Sequence, residues 1–161
     1  MKIHYQSLEK KIDVKFKNKD LLAQALTHKS FNPIENNEKI EFLGDRVLGL
    51  VIAKKLLEIY PGEKEGILDK KFASLVNKKT CLDIAKKINL SSYVKTFNPN
   101  NKKIRIEDKI ISDSCEALIG AIYLDKGFAV VEKTILNLWQ NHIEKSAVSY
   151  THLTLPTILL V

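Results

Sequence analysis

The sequence predicts an all-α fold of about seven helices. Three observations carry that prediction. Apolar residues recur at spacings of three and four along most of the chain, as they do on one face of a helix, and no alternating strand pattern runs beyond a few residues. The segments are separated by helix-ending signals such as Pro61-Gly62 and Gly127. With 161 residues the chain has room for one sizeable core.

The elements follow in order. A short helix covers about Tyr5 to Ile12. A second opens after Asn18, a residue suited to cap it, with Leu21, Leu22, Ala25 and Leu26 as its buried stripe. A loop containing Pro33 leads to the third and longest helix, Glu38 to about Tyr60, which reads as buried because it is apolar nearly all round beyond its first turn. The fourth and fifth span about Gly66 to Lys79 and Cys81 to Ile88, and Asn98-Pro99-Asn100-Asn101 opens an exposed basic loop. The sixth runs from about Glu107 to Lys126. The seventh, Ala129 to about Lys145, buries Val131, Ile135, Leu138, Trp139 and Ile143. Residues 146–161 contain no Asp, Glu, Lys or Arg, so the chain is divided into a domain of residues 1–145 and a tail, residues 146–161, expected to be a docked strand or an end foreign to the domain.

Composition excludes several classes. The longest uncharged apolar runs, such as Ala117 to Leu124, fall far short of a bilayer span, and the lysine-bearing first residues lack a secretory core, so no membrane association is expected. Two cysteines, Cys81 and Cys115, make neither a disulfide framework nor a zinc site, which fits a cytoplasmic location. Twenty-six Lys and Arg against 19 Asp and Glu leave a net charge of +7, consistent with a polyanionic partner. Because 24 of those cations are lysines, a solvated lysine surface is the competing explanation.

The acids are more informative. In the third helix Glu38, Glu41 and Asp45 fall at about 0°, 300° and 340° around the axis, on one narrow stripe where like charges repel. In the sixth, Asp113 and Glu116 lie three apart, directly before the apolar run Ala117 to Ile122. Carboxylates on core helices need a cation or a proton. Arg46 points to another face and no other cation lies in that apolar stretch, so a metal ion is the expected partner; for Glu38, in the first turn, interaction with the helix dipole is an equal explanation. An all-oxygen ligand set selects Mg²⁺, with Mn²⁺ as substitute, and none of the four histidines stands where a helical di-iron site would need it. An acidic Mg²⁺ site on a basic protein points to phosphate-ester hydrolysis.

Asn37-Glu38-Lys39-Ile40-Glu41-Phe42-Leu43-Gly44-Asp45 resembles the signature of the ribonuclease III catalytic domain. Ala25 to Ser30, Pro61 to Leu68, Ala73 to Val76 and Ile110 to Asp125 resemble other segments of that family in the same order, covering about residues 5 to 145. The resemblance implies an all-α homodimer that holds double-stranded RNA in a valley with one acidic site near each end. It implies that Glu41, Asp45, Asp113 and Glu116 are catalytic and bind Mg²⁺, that Glu38 and Glu65 are accessory acids, and that Phe42 enters the dimer partner. It further implies in-line hydrolysis to 5′-phosphate and 3′-hydroxyl ends with short 3′ overhangs, in the processing of ribosomal and messenger RNA. Three features are expected to differ from the family pattern: no double-stranded-RNA-binding domain of the kind bacterial members carry is expected, Arg46 stands where a small residue is usual, and Asn98 to Arg105 lacks glycines. His28 matches a family position, where a buried, hydrogen-bonded role is expected. The alternatives are a catalytically inactive RNA-binding module of a ribonucleoprotein assembly and an all-α nucleotide pyrophosphohydrolase.

Overall fold

Side chains that accept otherwise free backbone N–H groups set where two of the helices begin, after Asn18 and after Asn77. The computed structural model describes residues 3–100 and 105–159, with the backbone alone for 148–159. Its helices are α1 (Gln6–Ile12), α2 (Lys19–Ala25), α3 (Glu38–Ile59), α4 (Glu65–Val76), α5 (Lys78–Lys87), α6 (Asp108–Lys126) and α7 (Phe128–Leu159), with a 3₁₀ turn, Leu90–Tyr93, between α5 and α6. Among the described residues there is no strand; one isolated bridge pairs Thr27 with Lys95.

Asn18 caps α2, its side chain accepting from the Leu21 N–H at 3.1 Å. The Asp125 carboxylate, near the end of α6, accepts from the N–H groups of Lys17 and Asn18 and so ties this helix start to the centre of the fold. Pro61 and Gly62 follow the end of α3, and Gly127, at φ 87°, turns the chain from α6 into α7. That backbone region is open to glycine at little cost.

Helix α6 lies at the centre: every residue from Ile111 to Ile122 is buried, and the helix packs against α2, α3, α5 and α7. Trp139 on α7 is fully buried, and its indole N–H donates to the Leu75 carbonyl of α4 at 2.8 Å. Both cysteines are free and buried. No described helix is long and apolar enough to cross a membrane.

Three expectations are corrected, and one element is new. The α4–α5 junction is at Asn77, whose side chain accepts from the Thr80 N–H at 2.8 Å, while the Thr80 hydroxyl donates to the Ser74 carbonyl. Lys78 and Lys79 therefore begin α5 instead of ending α4. Helix α3 is buried on one face only, leaving Phe42, Leu50 and Leu57 exposed. The 3₁₀ turn was not anticipated. Helix α7 runs to Leu159, so residues 146–159 are helical and not a docked strand. In the loop expected between Asn98 and Arg105, positions 101–104 lie outside the described residues, as do 160 and 161 of the tail.

Candidate active site

The two acidic helices cross where neither has a side chain. A Cβ on Gly44 of α3 would collide with the Glu116 carbonyl of α6, and a Cβ on Gly120 would collide with the Ile40 carbonyl. Glycine at both points lets the backbones touch. That contact brings Glu41 and Asp45 against Asp113 and Glu116.

Glu41, Asp113 and Glu116 all reach one ammonium, that of Lys78, and the Asp45 carboxyl is near enough to Glu116 to strengthen its hold on the proton. The four sequence-predicted acids therefore share one trough. Glu116 is its floor, with a side chain only 2% exposed, while Asp45 stands half exposed at the mouth with Arg46 at 3.2 Å. Burial, joined by the neighbouring Asp45 carboxyl, pushes Glu116 up to about 7 even though Lys78 opposes the shift. Burial, then Asp113, also raises Glu41. For Asp113, burial works upward, but hydrogen bonds from Lys109 and Lys78 outweigh it and hold the carboxyl below its ordinary value.

The expectation that no cation of the chain reaches these acids is overturned. The Lys78 ammonium is seated among them, 2.5 Å from Glu116 Oε1, 2.7 Å from Asp113 Oδ1 and 3.7 Å from Glu41 Oε1. Burial opposes charge on Lys78, yet the bonds to Asp113 and Glu116 prevail and raise its affinity for the proton. Lys109, one turn before Asp113, adds a second contact at 2.7 Å from the rim. As arranged around Lys78, no three acidic, histidine or cysteine side chains among the described residues are grouped to hold a metal. Sequence reasoning missed Lys78 because it assigned the residue to the end of α4. The available signal was Asn77 three residues before Thr80, a capping pattern that starts a new helix.

The remaining predicted residues lie apart from this trough. Glu38 is exposed and pairs with Lys29 at 3.5 Å. Glu65 is exposed in the first turn of α4, and among the described residues no hydrogen bond or ion pair joins it to the four acids. Phe42 is 61% exposed, with the Arg46 guanidinium 3.9 Å above its ring. Arg46 thus covers an aromatic face as well as pairing with Asp45. His28 is half-buried, its Nδ1 accepting from the Ser30 N–H at 3.1 Å and lying 2.8 Å from the Ser30 hydroxyl. Behind the trough, burial and then Glu116 push the Cys81 thiol up to about 12, leaving it inert as a nucleophile.

The sequence model of the ribonuclease-III-like family matches residues 18–142. This chain belongs to the ribonuclease III family. A Ribonuclease 3 of Pelagibacter ubique is 65% identical over 149 residues, 92% of this chain and 67% of that protein. A Ribonuclease 3 of Aliarcobacter butzleri is 43% identical over 143 residues, 88% of this chain and 63% of that protein. This ribonuclease III family chain thus spans about three fifths to two thirds of the length of such relatives. The nuclease domain of ribonuclease III from Campylobacter jejuni, described for structural flexibility in the region involved in dimer formation, superposes with a TM-score of 0.79 at 39% identity. That superposition covers 86% of this chain and 97% of that one.

Proposed function

We propose that this chain is the catalytic part, residues 1–145, of a Mg²⁺-dependent endoribonuclease that cuts double-stranded RNA as a homodimer in the cytoplasm. The observation that carries the reading is the meeting of Glu41 and Asp45 with Asp113 and Glu116 across the Gly44–Gly120 crossing. The donor set fits a hard divalent ion. All four side chains offer oxygen, and four carboxylates against the ammoniums of Lys78 and Lys109 and the guanidinium of Arg46 leave one negative charge uncompensated. Such an ion, Mg²⁺ or Mn²⁺, supplies Lewis acidity toward phosphoryl oxygens and an activated water.

The chain's own residues do the rest. Glu41, Asp45, Asp113 and Glu116 hold the ion, and Glu38 and Glu65 serve as accessory acids. An open cavity of about 520 Å³ beside Asp113, lined by Lys29, Phe97, Arg105 and Lys109 among others, offers cations to backbone phosphates. Duplex RNA is then recognised by shape and by its 2′-hydroxyls. Hydrolysis leaves 5′-phosphate and 3′-hydroxyl ends, and paired sites leave short 3′ overhangs, in the maturation of ribosomal and messenger precursors. The exposed stripe of Phe42, Leu50 and Leu57 on α3 supports pairing with a second copy.

The test is incubation of the full chain with perfectly paired RNA. Cutting is expected with Mg²⁺, none with EDTA and none by Glu116→Gln; absence of cutting with either Mg²⁺ or Mn²⁺, or undiminished cutting by the variant, overturns the reading. One observation favours a second reading, an RNA-binding module without catalysis: Lys78 already neutralises part of the acid cluster. RNA retained without cleavage in both metals supports that alternative.

A further inference from the structure

We infer that the Lys78 ammonium is the resident counter-ion of the acidic trough, and that a divalent ion enters only by displacing it, so that Lys78 sets the affinity of the site for metal. The inference rests on the metal-dependent reading above and deepens it.

Position is the first argument. Nζ of Lys78 lies within 3.7 Å of oxygens from three of the four acids, which is the volume where a single ion could reach them together. An ammonium and a divalent ion a few ångströms apart repel, so they cannot share that volume. With the ammonium among them, no three of these acids are grouped for a metal as they stand.

The second argument concerns the route out. The Lys78 side chain is 56% exposed, and its flexible stem starts from the first residue of α5. The ammonium can swing into solvent without moving any helix. Lys109, by comparison, touches only Asp113 among the acids and is 78% exposed, so it sits at the rim and leaves the centre free.

The third argument is local. The first turn of α5 carries Lys78 and Lys79 and no acid, where the helix dipole disfavours cations. Nothing within α5 rewards a lysine there. The carboxylates of α3 and α6 do.

The experiment compares the full-length chain with Lys78→Met, which keeps the length of the stem and removes the charge, and with Lys78→Arg, which keeps the charge. Mn²⁺ binding is measured by titration calorimetry, and unfolding of the metal-free proteins by thermal melting. Lys78→Met is expected to bind Mn²⁺ about tenfold tighter, to melt lower without metal, and to gain more from added Mn²⁺ than the parent. Lys78→Arg is expected to stay near the parent in both measurements. Equal or weaker Mn²⁺ binding by Lys78→Met overturns the inference while leaving a metal-dependent site intact. No Mn²⁺ binding by any of the three proteins overturns both. Should Lys78→Met fail to fold, the Lys78 Nζ resonance of the ¹⁵N-labelled parent, assigned by its loss in Lys78→Arg, decides: a shift on adding Mg²⁺ supports displacement, and an unmoved resonance refutes it.

Discussion

Replacing Gly44 by alanine adds one methyl group at the point where α3 and α6 touch. The new Cβ would overlap the Glu116 carbonyl oxygen and stand 2.7 Å from the Glu116 carbonyl carbon and 2.9 Å from the Gly120 nitrogen, against ordinary contact from 3.4 Å. All three obstacles are helix backbone and cannot rotate away, and the carbonyl oxygen is the nearest of them, so the helices must part by more than about 1 Å at the crossing. Overpacking of this kind costs about 1–3 kcal/mol. Alanine recovers about 1 kcal/mol as the better helix former, which leaves a net loss of about 0–2 kcal/mol. For a chain of this size that lowers the melting temperature by up to about 8 °C. Activity suffers more, because Asp45 and Glu116 flank the contact and a misplacement near 1 Å can cost about 100-fold. The assay is single-turnover cutting of end-labelled duplex RNA, beside a circular-dichroism melt. Gly66→Ala serves as control, since nothing lies within 4 Å of a Cβ there. A Gly44→Ala protein that is folded and cuts at the parental rate would refute the claim that this crossing sets the spacing of the acids.

Further outcomes are expected elsewhere in the fold. Burial pushes Glu9 upward, but bonds from Lys19 and the Phe16 N–H outweigh it and hold its carboxyl below the ordinary value. Its contribution to stability is therefore present above the unfolded value and lost as pH falls through the folded one. Glu9→Gln should cost about 1–3 kcal/mol in denaturant titrations at pH 7, with the gap to the parent closing below about pH 4. Trp139→Phe leaves the Leu75 carbonyl without its indole donor and should lower stability by about 1–3 kcal/mol; a melt within error of the parent would show that the bond is dispensable. If α3 pairs two copies, Phe42→Ala removes an exposed aromatic anchor and should weaken the dimer by about 2 kcal/mol, roughly 30-fold, in sedimentation equilibrium. A single-species monomer in the parent would sink that expectation.

Much of the architecture was legible because helices announce themselves locally. The spacing of Leu21, Leu22, Ala25 and Leu26, the cap at Asn18 and the stops at Pro61 and Gly127 each depend on neighbours within one turn, and the structure bears them out except that Leu21 is only half-buried. The acids were legible for a related reason: repeated charges on otherwise apolar helices are costly, so their presence called for a partner. What failed were features decided by distant residues. Leu50 and Leu57 read as core because they are apolar, but burial depends on which face meets α6, and theirs does not. Lys78 read as the end of one helix, where its charge would be favourable, because the hydrogen bonds that start another at Asn77 outweigh the dipole.

By itself the amino-acid sequence determined that this chain would form an ordered series of helices, two of them bearing acids that need compensation. Those properties follow from hydrogen bonds and side-chain directions within a few residues. Only the tertiary structure decided that Gly44 and Gly120 would meet, that four carboxylates would share one trough, and that the ammonium seated among them would come from Lys78. The physical reason is that helix-to-helix approach, and the field each charge feels, are set by the closest atoms in space, and those atoms belong to segments far apart in the chain.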